Sequence, residues 1–88
     1  MPGVIRITIA HDGWRVVIYP NDHSPEHVHV IGKTSEAVFE LHCWEGPVTL
    51  RESYGFRKKE LRRLMKELDT QLELLCNEWE TIHDANGS

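Results

Sequence analysis

Three closely spaced histidines in the first third of the chain are the strongest chemical signal in the sequence. They are His23, His27 and His29, with the acids Asp22 and Glu26 beside them. On a β-strand, residues two apart share a face, so His27 and His29 would project together, about 6.6 Å apart at Cα. Val28 and Val30 would then face the core.

These histidines are compatible with three kinds of site. Imidazole titrates near neutral pH and can act as general acid and base on an RNA phosphodiester without a metal. If His23 folds back across Pro25, the three imidazoles could instead bind Zn²⁺ or another borderline transition metal and leave one position open. The simplest alternative is a strand face on which the histidines are only solvated. The spacing alone leaves all three open.

A second candidate surface is the basic segment from Arg57 to Lys66, in which six basic residues stand against one acid, in a chain of net charge −4. In a helix, four of these residues form one stripe opposite a stripe of leucines, namely Lys59, Arg62, Arg63 and Lys66. Cations at a helix start oppose the macrodipole, which favours a functional role such as binding phosphate or an acidic partner. The alternative is a solvated face that maintains solubility.

The elements that must position these residues can be read from the pattern of apolar residues. Short β-branched or alternating runs predict an antiparallel sheet of three to five strands in the first half of the chain. The predicted strands are 4–9, 14–19, 27–31 and 36–41, with a short edge strand at 48–50. Phe39 is expected on the core face of its strand with Ala37 and Leu41. The first two strands would form a hairpin.

The second half predicts one long helix over about 57–83 and a frayed tail at 84–88, because apolar residues recur there at steps of three and four. Such a helix is about 40 Å long, whereas strands of five or six residues span about 17–20 Å. Its end should therefore overhang the sheet. We expect Leu75, Trp79 and Ile82 to pack on a second copy or a partner, with Trp79 as the anchor.

Length and composition predict a single α+β domain over 1–88. No apolar run has the length of a membrane span and no signal-peptide pattern is present, so we expect a cytoplasmic protein with no membrane contact. Cys43 and Cys76 lie far apart without a CxxC spacing. We expect two buried, unpaired thiols in a reducing compartment, not a disulfide or a metal pair. Motifs of nucleotide folds and hydrolase triads are absent from the sequence.

Segments along most of the chain are shared with one small bacterial family. They are Met1-Pro2 with Val4 and Arg6, Tyr19 and Asn21-Asp22-His23, Pro25 with His27-Val28-His29-Val30, Glu36-Ala37 with Phe39, Gly55-Phe56, and Trp79. The chain resembles the DhiT-type toxins, long catalogued only as a domain of unknown function. It departs from them at Glu26, where a second proline is common, and around Cys43-Trp44-Glu45-Gly46.

The resemblance implies the toxin of a type II toxin–antitoxin pair, with a small antitoxin as partner, and it supplies no catalytic residues. Combined with the residues above, it favours a toxin that acts on RNA or another phosphate-bearing target through the histidine strand and the basic helix start. The alternatives are a non-enzymatic protein-binding module and a metal-dependent hydrolase using the histidines. Only the last requires a cofactor, a divalent metal. Two further candidate partners are nucleic acid and a second copy of the chain, which would form a homodimer through the C-terminal helix.

Overall fold

The computed structural model of the protein describes residues 7–8, 14–19, 21 and 23–85. In this part of the chain, five antiparallel strands precede two helices and lie side by side in chain order. The strands are β1 (Ile7–Thr8), β2 (Arg15–Val17), β3 (His27–Ile31), β4 (Glu36–Glu40) and β5 (Thr49–Tyr54), and the helices are α1 (Lys58–Thr70) and α2 (Leu72–Ala85). The prediction of an α+β fold with a short-stranded antiparallel sheet first is confirmed.

The central strands show the predicted alternation. In the register of β3 and β4, Val28 lies opposite Phe39 and Val30 lies opposite Ala37. All four are buried, together with Leu41, in one core with the leucines of the two helices. Alternation along β3 directs His29 to the other face of the sheet.

The outer strands differ from the prediction in length. The predicted edge strand at 48–50 is a six-residue strand, Thr49–Tyr54, and every residue of it is exposed. Gly55 follows its last residue, with a φ of +80°, and a Cβ there would lie 2.6 Å from the carbonyl oxygen of Thr34. Only glycine fits there. Of the predicted strand 4–9, the structure describes the pair Ile7–Thr8, and residues 11–13 between the two strands of the predicted hairpin lie outside the described residues.

The prediction of one long helix is wrong. The helical pattern is interrupted at Gln71, with φ −111° and ψ 19°, whose N–H donates to the carbonyl of Leu68 at 3.0 Å. Helices of 13 and 14 residues result, each about 20 Å long and matched to the strands. The expected overhang is therefore also wrong. Leu75, Trp79 and Ile82 are buried in the core of this same chain, so the residues proposed to form a helix-mediated dimer are already covered.

The interruption also changes the electrostatic interpretation of the helical half. In one helix, the basic residues would crowd the N-terminus and the acidic residues the C-terminus, against the macrodipole. With two helices, Glu60 and Glu73 lie in the first turns of α1 and α2, and His83 lies in the last turn of α2. Glu60 also accepts a hydrogen bond from the N–H of Arg57 at 2.8 Å. The pattern of α2 therefore agrees with its dipole, whereas α1 still begins with Lys58 and Lys59 and has no basic residue in its last turn, so most of its charges still oppose its own dipole.

The expectation of two unpaired thiols is wrong, because Cys43 and Cys76 form a disulfide. It joins the segment after β4 to α2 across 33 residues of sequence. Disulfides persist mainly in oxidising compartments, so the two cysteines no longer favour the prediction of a reducing compartment. Among the described residues, neither α1 nor α2 combines the length and the apolar composition that a bilayer span requires.

Candidate functional site

Five side-chain rings lie in successive contact where β2, β3 and α2 meet. We call them the ring row: Tyr19, His29, His27, Trp79 and His83. In this order, neighbouring ring centroids are 5.0, 5.3, 5.3 and 3.9 Å apart. The predicted pairing of His27 and His29 on one side of the strand is thus found, and three further rings extend it in both directions.

His29 has an acidic partner on the neighbouring strand. Its Nδ1–H donates to Oε2 of Glu36 at 3.2 Å, and the two side chains are 17% and 34% exposed. Glu36 reaches His29 because it lies two residues before Val38, which pairs with His29 across the strands. With Nδ1 as the donor, the lone pair of the neutral imidazole is on Nε2. Val17 and Val38 flank the ring on the neighbouring strands, and both are buried, which strengthens the polar contact.

His27 is more enclosed than the sequence suggested. It is 5% exposed, so the alternative of a strand face on which the histidines are only solvated does not hold for this residue. Its Nδ1–H donates to the carbonyl of Pro25 at 2.8 Å. Because a carbonyl can only accept, this bond sets the tautomer of the neutral ring, and Nε2 again carries the lone pair.

The helix contributes two rings one turn apart. Trp79 and His83 stack with an interplanar angle of 23°, and His83 Nδ1–H donates to the carbonyl of Trp79 at 2.8 Å. Trp79 is 5% exposed and forms a wall against His27, so it is not a free interface anchor in this chain. The sequence analysis did not select His83. The signal was present, since residues four apart on a helix are neighbours.

The predicted three-histidine metal site is not assembled. His23 is exposed, and none of the four ring contacts that form the row includes it. Among the described residues, which include His23, His27 and His29, no group of three or more histidine, cysteine or acidic side chains is arranged to hold a metal ion.

The basic stripe of α1 is present but lies apart from the row. Its four members, Lys59, Arg62, Arg63 and Lys66, are all exposed. Leu64 and Leu68 are buried on the opposite side of the helix, so the stripe faces away from the sheet. Those leucines share the core with Val28 and Val30, whereas His29 lies on the other sheet face. The sheet and core therefore separate the stripe from His29, and the two candidate sites do not form one surface.

A family model described as Domain of unknown function (DUF4160) matches residues 13–80, more than half of the chain. The chain belongs to this family. No curated protein and no solved structure matches it significantly. The range that matches the DUF4160 model includes four members of the ring row and Glu36, while His83 lies beyond it.

The chemistry available to the row is that of paired imidazoles. The carboxylate of Glu36 fixes the orientation of His29 and stabilises the imidazolium that forms when Nε2 takes a proton, the role that a carboxylate has beside histidine in hydrolase triads. His27 supplies a second imidazole in contact with the first. Tyr19 is 36% exposed beside His29 and offers a ring face on which an unpaired base can stack.

Proposed function

We propose that this protein is the toxin of a type II toxin–antitoxin pair of the DhiT kind, and that the ring row acts on RNA as a metal-independent acid–base site. The proposal of a toxin rests on the resemblance of the histidine segment to those proteins and on membership of the DUF4160 family. The proposal of a site rests on one observation. The imidazole of His29 is held by a carboxylate at 3.2 Å and contacts a second imidazole at 5.3 Å between ring centroids.

The proposed reaction is transesterification at a phosphodiester. Nε2 of His29 removes the proton from a ribose 2′-hydroxyl, whose oxygen attacks the adjacent phosphorus. The bond from phosphorus to the 5′-oxygen breaks, and His27 in its protonated form gives that oxygen a proton. The products are a 2′,3′-cyclic phosphate and a free 5′-hydroxyl. Acid–base groups of this kind contribute roughly a hundredfold or more each.

Controlled expression in a bacterial host tests the proposal. We expect the unaltered chain to arrest growth and His29→Ala to remove the arrest. His23→Ala is the matched control, because it removes an exposed histidine from the same segment but outside the row, and it should arrest growth like the parent. Both variants should retain the parent's circular dichroism spectrum, and His23→Ala, at an exposed position, should also retain its unfolding midpoint. If His29→Ala arrests growth fully, the ring row is not the active site.

Purified protein separates the acid–base mechanism from a metal-dependent one. Cleavage of a short single-stranded RNA should survive treatment with a chelator, and the product ends should include a cyclic phosphate. A metal-dependent hydrolase would lose activity on chelation, regain it with added ion, and leave linear phosphate ends. That result would replace the mechanism proposed for His29.

A non-enzymatic protein-binding module is the second candidate function, and a separate observation favours it. Strand β5 is exposed along its whole length, and it carries Leu50 and Tyr54, which are 39% and 65% exposed. A chain that arrests growth without cleaving RNA, and whose arrest survives His29→Ala, would support this candidate.

A further inference from the structure

Among the described strands, none pairs with the outer edge of β5. In the described sheet, β5 pairs with β4 on one side only, and all six of its residues are exposed. A strand at the edge of a sheet presents unpaired N–H and C=O groups along its free side. An extended segment of another chain can pair with these groups and add a further strand to the sheet. Edges of this length are usually shortened, covered or twisted away in monomeric proteins.

A cleft lies between this edge and the candidate site. Its volume is about 190 Å³, and it is lined by Glu36, Val38, Glu52, Ser53 and Tyr54. Glu36 belongs to both regions: its Oε2 accepts from His29, and its Oε1 accepts a long hydrogen bond of 3.5 Å from the hydroxyl of Tyr54. A group bound in the cleft would therefore contact the residue that orients His29.

The charge in the cleft selects a cation. Two carboxylates, those of Glu36 and Glu52, line it, and none of the described residues that line it is a Lys or Arg. The next acid along β4, Glu40, differs because Nε of Arg51 donates to it at 3.1 Å. Among the described residues, neither carboxylate of the cleft has a Lys or Arg partner. A guanidinium fits best, because its planar fork can bond carboxylates and stack on the exposed ring of Tyr54.

We propose that an extended segment of a partner protein adds to the free edge of β5 and places an arginine side chain in this cleft. The strand edge supplies main-chain hydrogen bonds, and the cleft supplies selectivity for the arginine. A second copy of this chain fits less well. Pairing of two β5 strands about a twofold axis at the strand centre puts Arg51 opposite Arg51 or Glu52 opposite Glu52, and like charges directly opposite are destabilising.

Such a partner would also act on the ring row, a step that rests on the function proposed above. An arginine bonded to Glu36 competes with His29 for the same carboxylate. His29 would lose the group that holds its tautomer and stabilises its protonated form. A segment docked in this way would therefore lower the activity of the site, as the neutralising partner of a toxin must.

Binding of designed peptides to the purified full-length chain tests the docking surface. The probe is a capped seven-residue peptide of alternating valine and threonine with one central arginine. We expect it to bind about tenfold more tightly than the same peptide with glutamine at the centre, since a charge-assisted bond is lost. Methylation of alternate backbone nitrogens should abolish binding, because it blocks strand pairing. Arginine amide alone should bind at least about tenfold more weakly.

Two variants of the protein complete the design. Glu52→Gln should weaken the arginine peptide about tenfold, while Glu73→Gln, which removes an exposed acid from α2, should leave binding unchanged. In the unaltered chain the peptide should shift the imidazole NMR signals of His29, and in Glu52→Gln this shift should need more peptide.

Each contrary result overturns the docking proposal. The proposal is wrong if the arginine peptide does not bind at millimolar concentration, or if it binds Glu52→Gln as tightly as the unaltered chain. It is also wrong if the methylated peptide or arginine amide binds as tightly as the arginine peptide. None of these measurements uses growth or RNA cleavage. If the peptide does not bind but the chain is toxic, only the docking proposal is contradicted. If the peptide binds but the chain is not toxic, only the proposed function is contradicted.

Discussion

The ring row and the basic stripe of α1 are both clusters of polar residues that sequence reasoning selects, yet they are built differently. Each ring of the row contacts the next at 3.9–5.3 Å, and His27, His29 and His83 each donate to a defined acceptor. The four cations of the stripe are exposed and make no hydrogen bond or ion pair with any described residue. Contacts within the protein hold the rings of the row in place, whereas no described residue holds the four cations of the stripe.

This difference separates a site from a solvated surface in energetic terms. Ordering a long Lys or Arg side chain costs up to about 2 kcal/mol in lost rotamer freedom, which a ligand must supply if the protein does not. In the row, packing and hydrogen bonds have already met that cost, so the imidazoles can hold a reacting group in place. The stripe can attract phosphate from a distance but is not arranged to position it.

Trp79→Ala should have the largest effect on stability, because Trp79 belongs both to the ring row and to the buried core. For a buried aromatic side chain we expect a loss of about 3–5 kcal/mol in the free energy of unfolding. Urea denaturation measures it. Leu74→Ala is the matched control, since Leu74 lies on the same helix but is 46% exposed, and it should cost under about 1 kcal/mol. If Trp79→Ala lowers the free energy of unfolding by a similarly small amount, the packing of α2 against His27 is wrong.

The disulfide should give the next largest effect, because Cys76 lies one turn before Trp79 on α2. The double change Cys43→Ala and Cys76→Ala should lower the free energy of unfolding by about 2–4 kcal/mol. The loss of the link should also broaden the ring signals of His83 in NMR spectra. Unaltered protein before and after reduction provides the comparison, and thiol titration should detect two thiols only after reduction. Free thiols in the protein as purified under oxidising conditions would contradict the pairing.

Local patterns in the sequence were sufficient for the central strands and for the buried face of the helices. Val28, Val30 and Phe39 are buried as alternation predicts, and Leu64 and Leu68 are buried as helical spacing predicts. These features depend on neighbours in sequence, which is where periodicity carries information.

The remaining features depend on contacts that periodicity does not encode. Apolar spacing continues unbroken from Leu68 to Leu75 across the interruption, and only the change from basic to acidic residues marked a new helix start. The contact between His29 and Glu36 requires the register of β3 and β4, which is set by tertiary packing. The pairing of Cys43 with Cys76 spans 33 residues and has no local signature.

Glu36→Gln tests whether the row is a working site as well as an ordered one. The change keeps the shape of the side chain but removes the charge that stabilises protonated His29, so RNA cleavage should fall roughly tenfold to a hundredfold. Stability should change by under about 1 kcal/mol. Glu40→Gln is the control, since Glu40 lies on the same strand but pairs with Arg51, and cleavage should be unaffected. Equal losses in both variants would indicate a general effect of charge on this sheet face.

The basic stripe should give the smallest effect, and one that depends on salt. In the variant Arg62→Glu with Lys66→Glu, RNA cleavage should fall severalfold at low ionic strength because attraction of phosphate is lost. Near 1 M salt, where the Debye length is about 3 Å, the variant and the parent should cleave at equal rates. The free energy of unfolding should change by no more than about 0.5 kcal/mol, since both positions are exposed and lie beyond the first turn of α1.

The outcome for the stripe decides how the two regions share the work. A loss that disappears with added salt fits a surface that only gathers RNA, with the chemistry left to His29 and its neighbours. A variant that is inactive at every salt concentration but folds normally would show that the cations contact the reacting phosphate directly. The sheet lies between the stripe and His29, so that result would require either two copies of the chain around one RNA or an active site on the α1 side, and the ring row would lose its assigned role.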